Sequence, residues 1–151
     1  MSDPRVVVRP ALPEDAEAVR SLGVSDSAFS VSPQVPFYET QELVAWAGNP
    51  RDNVLLVSEV GGTVGGFLFC KIMSTHWALL DNFYVSPGLR KTGASDQLFD
   101  RLMEELRARS IEYLSILVKE GEAALIRTCK RRGFVPQQRY MWLDMFIDGH
   151  E

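Results

Sequence analysis

The chain is poor in cysteine and has no long apolar run. Two of its 151 residues are cysteine, Cys70 and Cys129, and their spacing fits neither a C-x-x-C pair nor a thiolate metal site. A reduced, cytoplasmic setting without a bound metal is therefore the simplest expectation. No apolar run reaches the roughly 18 residues of a membrane helix. The first residues show no apolar signal-peptide segment, so we expect no membrane association.

An excess of positive charge is also missing. Lys and Arg number 16 against 20 Asp and Glu, which gives a net charge of −4. Binding of nucleic acid through a broad basic surface is therefore not expected, and the small acidic bias favours a cationic substrate only slightly. With 46% hydrophobic residues, a chain of 151 residues buries a substantial core. We therefore predict one domain that spans 1–151.

The hydrophobic patterns predict alternating strands and helices. Strands are predicted at 5–9, 53–60, 63–72, 77–85, 112–118 and 140–147, and helices at 13–23, 39–47, 95–109 and 122–132. The Ser- and Pro-rich stretch 24–36 has no clear period and is interpreted as a loop or an irregular helix. This order predicts an α/β fold in which helices cover a mixed sheet.

Two glycine pairs mark special backbone positions. Gly61-Gly62 separates two predicted strands by two residues, which predicts a tight hairpin turn. Gly65-Gly66 lies inside the return strand and predicts a β-bulge or a close approach of another part of the backbone.

The segment 85–95 carries the strongest functional pattern. It joins a predicted strand to an amphipathic helix through small residues and two cations, and backbone N–H groups at such a junction form an anion site. Residues 88–95 nearly match the phosphate-binding pattern G-x-x-x-x-G-K-[ST]. Ala94 stands where that pattern requires the lysine that reaches the β- and γ-phosphates. A nucleoside triphosphatase is thus the weaker interpretation.

A second pattern, [Arg/Gln]-x-x-Gly-x-[Gly/Ala], fits the same turn better, from Arg90 to Ser95. Here the chain resembles the GNAT superfamily of N-acetyltransferases, whose members hold the pyrophosphate of acetyl-coenzyme A on this loop. Three further stretches resemble the family's first strand and helix, its fourth strand and the end of its last helix: Val8-Arg9-Pro10-Ala11 with Pro13-Glu14-Asp15-Ala16, Leu80-Asp81-Asn82-Phe83-Tyr84-Val85, and Cys129-Lys130-Arg131-Arg132-Gly133-Phe134. The resemblance covers nearly the whole chain. It implies one GNAT-like domain with a mixed, mostly antiparallel sheet flanked by about four helices.

The resemblance also implies acetyl-coenzyme A as the co-substrate and no catalytic metal. It assigns the coenzyme to the strand residues Phe83, Tyr84 and Val85 and to the loop residues Arg90, Lys91, Thr92, Gly93, Ala94 and Ser95. Gly93 lets the backbone approach the pyrophosphate without a Cβ, and the two cations add positive charge. Ser95 departs from the family's Gly or Ala. As a small residue and a good helix N-cap, it keeps the loop compatible with the coenzyme.

Two residues are candidates for proton transfer. Asp81 is the candidate base that deprotonates the acceptor amine, and the alternative is a strand-edge carboxylate satisfied by other polar groups. Strand alternation places Asp81 and Asn82 on opposite faces, which predicts that the two side chains do not point into one site. Cys129 stands where many members of the family carry a tyrosine general acid. It is either a shorter proton donor or a small buried hydrophobe.

These observations predict an N-acetyltransferase in which a primary amine of a small molecule or peptide attacks acetyl-coenzyme A directly. The acidic residue in the fourth strand resembles the diamine and polyamine acetyltransferases. The alternative is a non-catalytic acyl-coenzyme A-binding or regulatory module, because Cys129 replaces the tyrosine. The aromatic residues Phe29, Phe37, Tyr38 and Trp46 fit an acceptor pocket and a core equally well. A homodimer that pairs through the last strands also remains open.

Overall fold

The computed structural model describes residues 5–26 and 35–149. Within these ranges the chain forms β1 (Val6–Pro10), α1 (Ala16–Val24), α2 (Thr40–Ala47), β2 (Asn53–Val60), β3 (Thr63–Ile72), β4 (Trp77–Val85), α3 (Ala94–Ala108), β5 (Tyr113–Ile116) and α4 (Ala123–Arg131). Short 3-10 helices, Pro13–Asp15 and Pro87–Leu89, precede α1 and α3. The chain divides into a first compact unit that ends at Leu117 and a second that begins at Val118. One domain over 1–151 stays a prediction.

The five strands form one sheet in chain order, β1-β2-β3-β4-β5. Each strand from β1 to β4 pairs antiparallel with the next, whereas β4 and β5 are parallel. Two parallel neighbours need a crossover connection, and α3 supplies it. This architecture confirms the predicted α/β class with a mixed, mostly antiparallel sheet and helices on it.

Helices cover both faces of the sheet in the first unit. Because side chains alternate along the strands, the sheet contributes to two separate apolar cores. On one face α3 buries Leu98, Leu102 and Leu106, which recur at helical spacing. On the opposite face α1 and α2 contribute Val19 and Leu43. Each fully buried leucine stabilises the fold by about 1.5–3 kcal/mol, so these contacts hold both helical layers against the strands.

The glycine pair in β3 confirms the predicted bulge and close approach. The register between β2 and β3 shifts between Ser58 and Glu59, opposite the two glycines. A Cβ on Gly66 would clash with the Ser58 hydroxyl, and one on Gly65 would clash with the side chain of Leu89. Because both Cβ atoms are absent, Leu89 packs against β3 and holds the segment that follows β4 close to the sheet.

The hairpin and most element bounds agree with prediction. Gly61 and Gly62 join β2 to β3 with φ of 59° and 81°, the positive values that the favoured two-residue hairpin turn requires. β2, β3 and β4 have the predicted ends, whereas β5 is shorter at both ends than the range 112–118. The predicted loop 24–36 falls partly on residues 27–34, which lie outside the described ranges together with Phe29.

In the second unit, α4 ends as the sequence predicts. Gly133 follows the helix with φ of 103°. The N–H of Phe134 donates to the carbonyl oxygen of Cys129 at 3.0 Å, and the N–H of Gly133 donates to that of Lys130 at 3.0 Å. These two bonds form a Schellman motif, which needs the left-handed backbone that glycine adopts without strain. The motif therefore holds the last helical turn, where Cys129 lies.

The predicted strand at 140–147 is wrong. The described residues contain no strand after β5, and the side chains of this segment are largely exposed, with Met141 at 82% and Ile147 at 86%. Apolar and β-branched residues give the segment a strand-like composition. A strand also needs a partner for its N–H and C=O groups, and within the described chain none pairs with this segment.

Candidate active site

Among the described residues, the second half of β4 lacks a partner strand at one edge. β5 pairs with β4 from Trp77 to Leu80 only, so within the described residues 81–85 lack a partner strand on that side. The other edge of residues 82–85 remains paired with β3, which keeps this part of the backbone extended. An open strand edge presents N–H and C=O groups to an extended ligand. Phe83, Tyr84 and Val85, which the resemblance assigns to the coenzyme, lie on this segment.

A β-bulge interrupts β4 where the open edge begins. Phe69 pairs with Asn82 and Cys70 pairs with Leu80, which leaves Asp81 as an extra residue without a partner on β3. A bulge resets the alternation of side chains, so two successive residues then share one face of the sheet.

The bulge brings Asp81 and Asn82 together. Nδ2 of Asn82 lies 3.4 Å from Oδ2 of Asp81, and it also donates to the hydroxyl of Tyr38 at 2.9 Å. Asp81 Oδ2 further lies 3.8 Å from Nζ of Lys71. The prediction that Asp81 and Asn82 face opposite sides is therefore wrong, because simple alternation does not include the extra residue. Both side chains lie on the face that α1 and α2 cover.

Asp81 has the properties of a proton acceptor. Burial raises the pKa of its carboxyl above the ordinary aspartate value. A raised pKa makes a carboxylate a more effective base near neutral pH. Its second oxygen, Oδ1, accepts no hydrogen bond from any residue that the structure describes, so it is available to a ligand.

Of the three described aromatic residues that fit an acceptor pocket and a core equally well, one lies in the core and two lie at the site. Phe37 is buried and packs on Phe67, so it belongs to the core. Tyr38 and Trp46 are only partly buried and meet Phe69 at the edge of that core. Trp46 stacks on Phe69 with ring centroids 4.7 Å apart. Tyr38 and Trp46 therefore line the site beside the bulge.

Sequence reasoning missed Lys71. It lies on β3 two residues after Phe69, and its Nζ lies over the rings of Tyr38, Trp46 and Phe69 as well as near Asp81. The period of two along β3 places Phe69 and Lys71 on one face, which is the only local indication. The remaining contacts of Lys71 come from Tyr38 and Trp46, which lie before and within α2, and from Asp81 on β4. Because these residues lie far from Lys71 in the chain, no spacing in the sequence indicates the contacts.

The loop after β4 ends in a helix N-terminus. Gly93 is the N-cap of α3 with φ of 85°, and the helix begins at Ala94. Ser95 is therefore the second residue of the helix and not its N-cap, because glycine adopts the left-handed backbone at the junction. The first N–H groups of a helix lack acceptors within it and carry the positive end of its dipole. The junction therefore fits an anion, as predicted.

The loop side chains have different positions. Nε of Arg90 donates to the carbonyl oxygen of Val85 at 3.1 Å, which ties the loop back to the end of β4. The hydroxyl of Thr92 donates to the carbonyl of Leu89, and the N–H of Ala94 donates to the hydroxyl of Thr92 at 3.4 Å. Lys91 is exposed with φ of 69°. Arg90 and Thr92 thus shape the loop, while Lys91 presents its charge to solvent.

The two cysteines differ in position. Burial in the core raises the pKa of the Cys70 thiol to about 12, which makes this thiol inert. Burial also raises the pKa of Cys129, while Arg132 acts in the opposite direction. A thiol with a raised pKa stays protonated near neutral pH but releases its proton less readily than an ordinary thiol. Cys129 lies in the second unit, and its role as the proton donor stays a prediction.

Two further features concern the described residues as a whole. No helix among them is long and apolar enough to cross a membrane. Their His, Cys, Asp and Glu side chains do not gather in groups of three or more that would hold a metal ion.

Comparison with known proteins identifies the family of the chain. The profile of the acetyltransferase (GNAT) family matches residues 22–134. The PaiA N-acetyltransferase of Thermoplasma acidophilum, in complex with coenzyme A, is 15% identical with a TM-score of 0.78, over 90% of this chain and 93% of that chain. No functionally curated protein matches the sequence.

Two other solved structures share the fold. The aminoglycoside N-acetyltransferase AAC(6')-Iy, in complex with CoA, is 13% identical with a TM-score of 0.75, over 95% of this chain and 97% of that chain. The ribosomal-protein-alanine N-acetyltransferase from Brucella melitensis biovar Abortus 2308 is 15% identical with a TM-score of 0.72, over 93% and 99% of the two chains. The names of these two enzymes indicate different classes of acceptor, so the fold alone does not select one.

Proposed function

The chain belongs to the acetyltransferase (GNAT) family, and from that premise we propose that it transfers an acetyl group from acetyl-coenzyme A to a primary amine of a small molecule or peptide. One observation carries the proposal: the open edge of β4 leads directly to the glycine-capped N-terminus of α3. An extended ligand with amide groups fits the open edge, and a pyrophosphate fits the helix N-terminus. Coenzyme A has both parts.

The donor is held mainly by backbone. We assign its pantetheine arm to Phe83, Tyr84 and Val85, and its pyrophosphate to the loop from Arg90 to Ser95. N–H groups of the first turn of α3 bind the phosphate oxygens, and Lys91 adds positive charge. The coenzyme-bound structures that share this fold support the assignment.

Transfer follows by direct attack. Asp81 accepts a proton from the acceptor ammonium, and the neutral nitrogen attacks the thioester carbonyl. A backbone N–H of β4 stabilises the negative charge that develops on the carbonyl oxygen. The new C–N bond forms as the C–S bond breaks; Cys129 gives its proton to the departing thiolate, and the second proton that the acetylated nitrogen loses restores the Cys129 thiol. The raised pKa of Asp81 supports its role as the base, whereas the role of Cys129 rests on its place at the tyrosine position of the family motif.

The alternative is a non-catalytic acyl-coenzyme A-binding or regulatory module. Cys129 supports it, because a thiol side chain is shorter than the tyrosine that many family members carry at this position. We also propose a cytoplasmic location, in keeping with two free thiols, and a homodimer as one assembly to be tested by the mass of the protein in solution.

One experiment separates the two functions. Purified protein is mixed with acetyl-coenzyme A and a panel of amines and amino-terminal peptides, and release of free coenzyme A is followed while calorimetry measures coenzyme binding. Amine-dependent release supports the acetyltransferase. Tight binding with release at background supports the module. Absence of coenzyme binding contradicts both.

A further inference from the structure

The ammonium group of Lys71 lies near three aromatic rings. Its Nζ is 5.8 Å from the ring centroid of Tyr38 and 5.7 Å from those of Trp46 and Phe69. The carboxylate of Asp81 closes a further side, with Oδ2 3.8 Å from Nζ. Aromatic faces and a carboxylate all attract positive charge. We name the four groups around Nζ, namely Tyr38, Trp46, Phe69 and Asp81, the cation pocket.

The aromatic walls of the cation pocket are held without the lysine. Trp46 stacks on Phe69 with an interplanar angle of 17°, and Phe69 is fully buried. Tyr38 meets both rings at steep angles, and Asn82 donates a hydrogen bond to its hydroxyl at 2.9 Å. None of these contacts includes Lys71. The pocket is therefore preorganised for a cation and stays assembled when the lysine leaves.

Lys71 itself is weakly held. Its side chain is 39% exposed, and its ion pair with Asp81 has a long separation of 3.8 Å. Partly exposed ion pairs of this kind contribute little, because flexible side chains lose entropy and water screens the charges. An external cation can therefore displace the ammonium group into solvent at small cost.

We propose that the cation pocket binds a second, non-reacting cationic nitrogen of the acceptor, and that Lys71 fills the pocket while the acceptor is absent. This inference rests on the proposed acetyl transfer and narrows its acceptors to amines that carry a second cationic nitrogen. Lys71 is then a specificity-determining residue. Its charge competes with the acceptor for the same pocket and lowers the affinity of the site for the acceptor.

The cation pocket suits the acceptor nitrogen that is not acetylated. Aromatic faces and a carboxylate favour the ammonium form over the neutral amine. Attack on the thioester requires the neutral amine, so the nucleophile belongs outside the ring of aromatic groups. The free Oδ1 of Asp81 offers that position, since its Oδ2 already faces the cation pocket.

The test compares two acceptors of equal length in three proteins. Steady-state kinetics are measured with tetramethylenediamine and with butylamine for the unchanged protein, Lys71→Met and Lys71→Arg. Lys71→Met removes the competing charge and keeps the bulk of the side chain. It should lower KM for the diamine roughly five- to tenfold and leave KM for butylamine unchanged. Lys71→Arg retains a cation over the rings and should show no such gain.

A second variant removes a wall of the pocket. Trp46→Leu should weaken the preference for the diamine over butylamine, with coenzyme affinity unchanged and thermal unfolding measured as a check on the fold. An equal effect of Lys71→Met on both amines, or none, overturns the inference and leaves the proposed function intact if butylamine is acetylated. If neither amine nor any other is acetylated, the proposed function fails and the inference fails with it.

Discussion

The two sides of the candidate site are built in opposite ways. The donor side, residues 83–95, consists of backbone: an open strand edge, a glycine N-cap and the first N–H groups of α3. The acceptor side consists of side chains that α2, β3 and β4 bring together around Lys71. A backbone site tolerates changes of side chain as long as its conformation survives. A side-chain site depends on the identity of every residue in it, which allows relatives with one fold to differ in acceptor.

The largest effect on coenzyme binding should come from Gly93→Asp on the donor side. Its φ of 85° disfavours most side chains, and a carboxylate placed there repels the pyrophosphate. Affinity for coenzyme A, measured by calorimetry, should fall about 100-fold or more, equivalent to about 2.8 kcal/mol. Gly121→Asp adds the same charge in open space and should leave the affinity unchanged. Unchanged affinity in Gly93→Asp would remove the loop from the donor site.

On the acceptor side, Asp81→Asn should lower kcat by about 10³-fold while coenzyme affinity stays constant. Because burial raises the pKa of Asp81, the active carboxylate form is lost as pH falls through that raised value. The rate of the unchanged protein should therefore drop on acidification, and this limb should vanish in Asp81→Asn. The exposed carboxylate of Asp100 provides the control variant Asp100→Asn. Equal pH profiles for unchanged protein and Asp81→Asn would show that another group accepts the proton.

Substitution of each cysteine by alanine gives a matched pair of variants. Cys129→Ala should lower kcat by about 10²-fold if its thiol protonates the departing thiolate. Cys70→Ala removes a fully buried core thiol and should lower the melting temperature without lowering kcat. Single-turnover kinetics and thermal unfolding of both variants decide the role. A Cys129→Ala protein that loses stability but keeps its rate would show that this thiol only packs.

The smallest effect on activity should come from Asp15, which lies away from both sides. Arg9 holds it at 2.7 Å, and the N–H of Leu12 donates to it at 2.7 Å. Asp15→Asn should lower the free energy of unfolding by about 2–3 kcal/mol and leave kcat/KM at 25 °C unchanged. Arg9 lowers the pKa of Asp15, so its stabilising effect is present near neutral pH and is lost as acid protonates it. Urea unfolding at neutral and acidic pH should show the two proteins converge on acidification.

The donor side was predictable because its determinants are local. Gly93 lies in the predicted turn between β4 and α3 and has a φ of 85°. The period of two and the period of 3.6 separate β4 from α3 without reference to the rest of the chain. The predicted N-cap is wrong by two positions, because Gly93 and not Ser95 caps the helix.

The acceptor side was less predictable because a bulge and distant partners create it. Asp81 was identified as a carboxylate of interest, but alternation placed Asn82 on the wrong face. Lys71 was missed, since its aromatic neighbours Tyr38 and Trp46 lie before and within α2, far from it in the chain. The strand predicted at 140–147 is absent for a related reason: composition favours a strand, but pairing decides it.

The sequence by itself therefore determined the order of the elements up to α4, the mixed sheet, the hairpin and the turn around Gly93 that joins β4 to α3. These depend on side-chain periodicity and on φ at single glycines, which nearby residues control. Only the tertiary structure decided where β5 leaves β4, which side chain of the bulge faces Lys71, and which aromatic residues belong to the core. These depend on pairing and packing between residues far apart in the chain, where the register of one strand on another sets every contact.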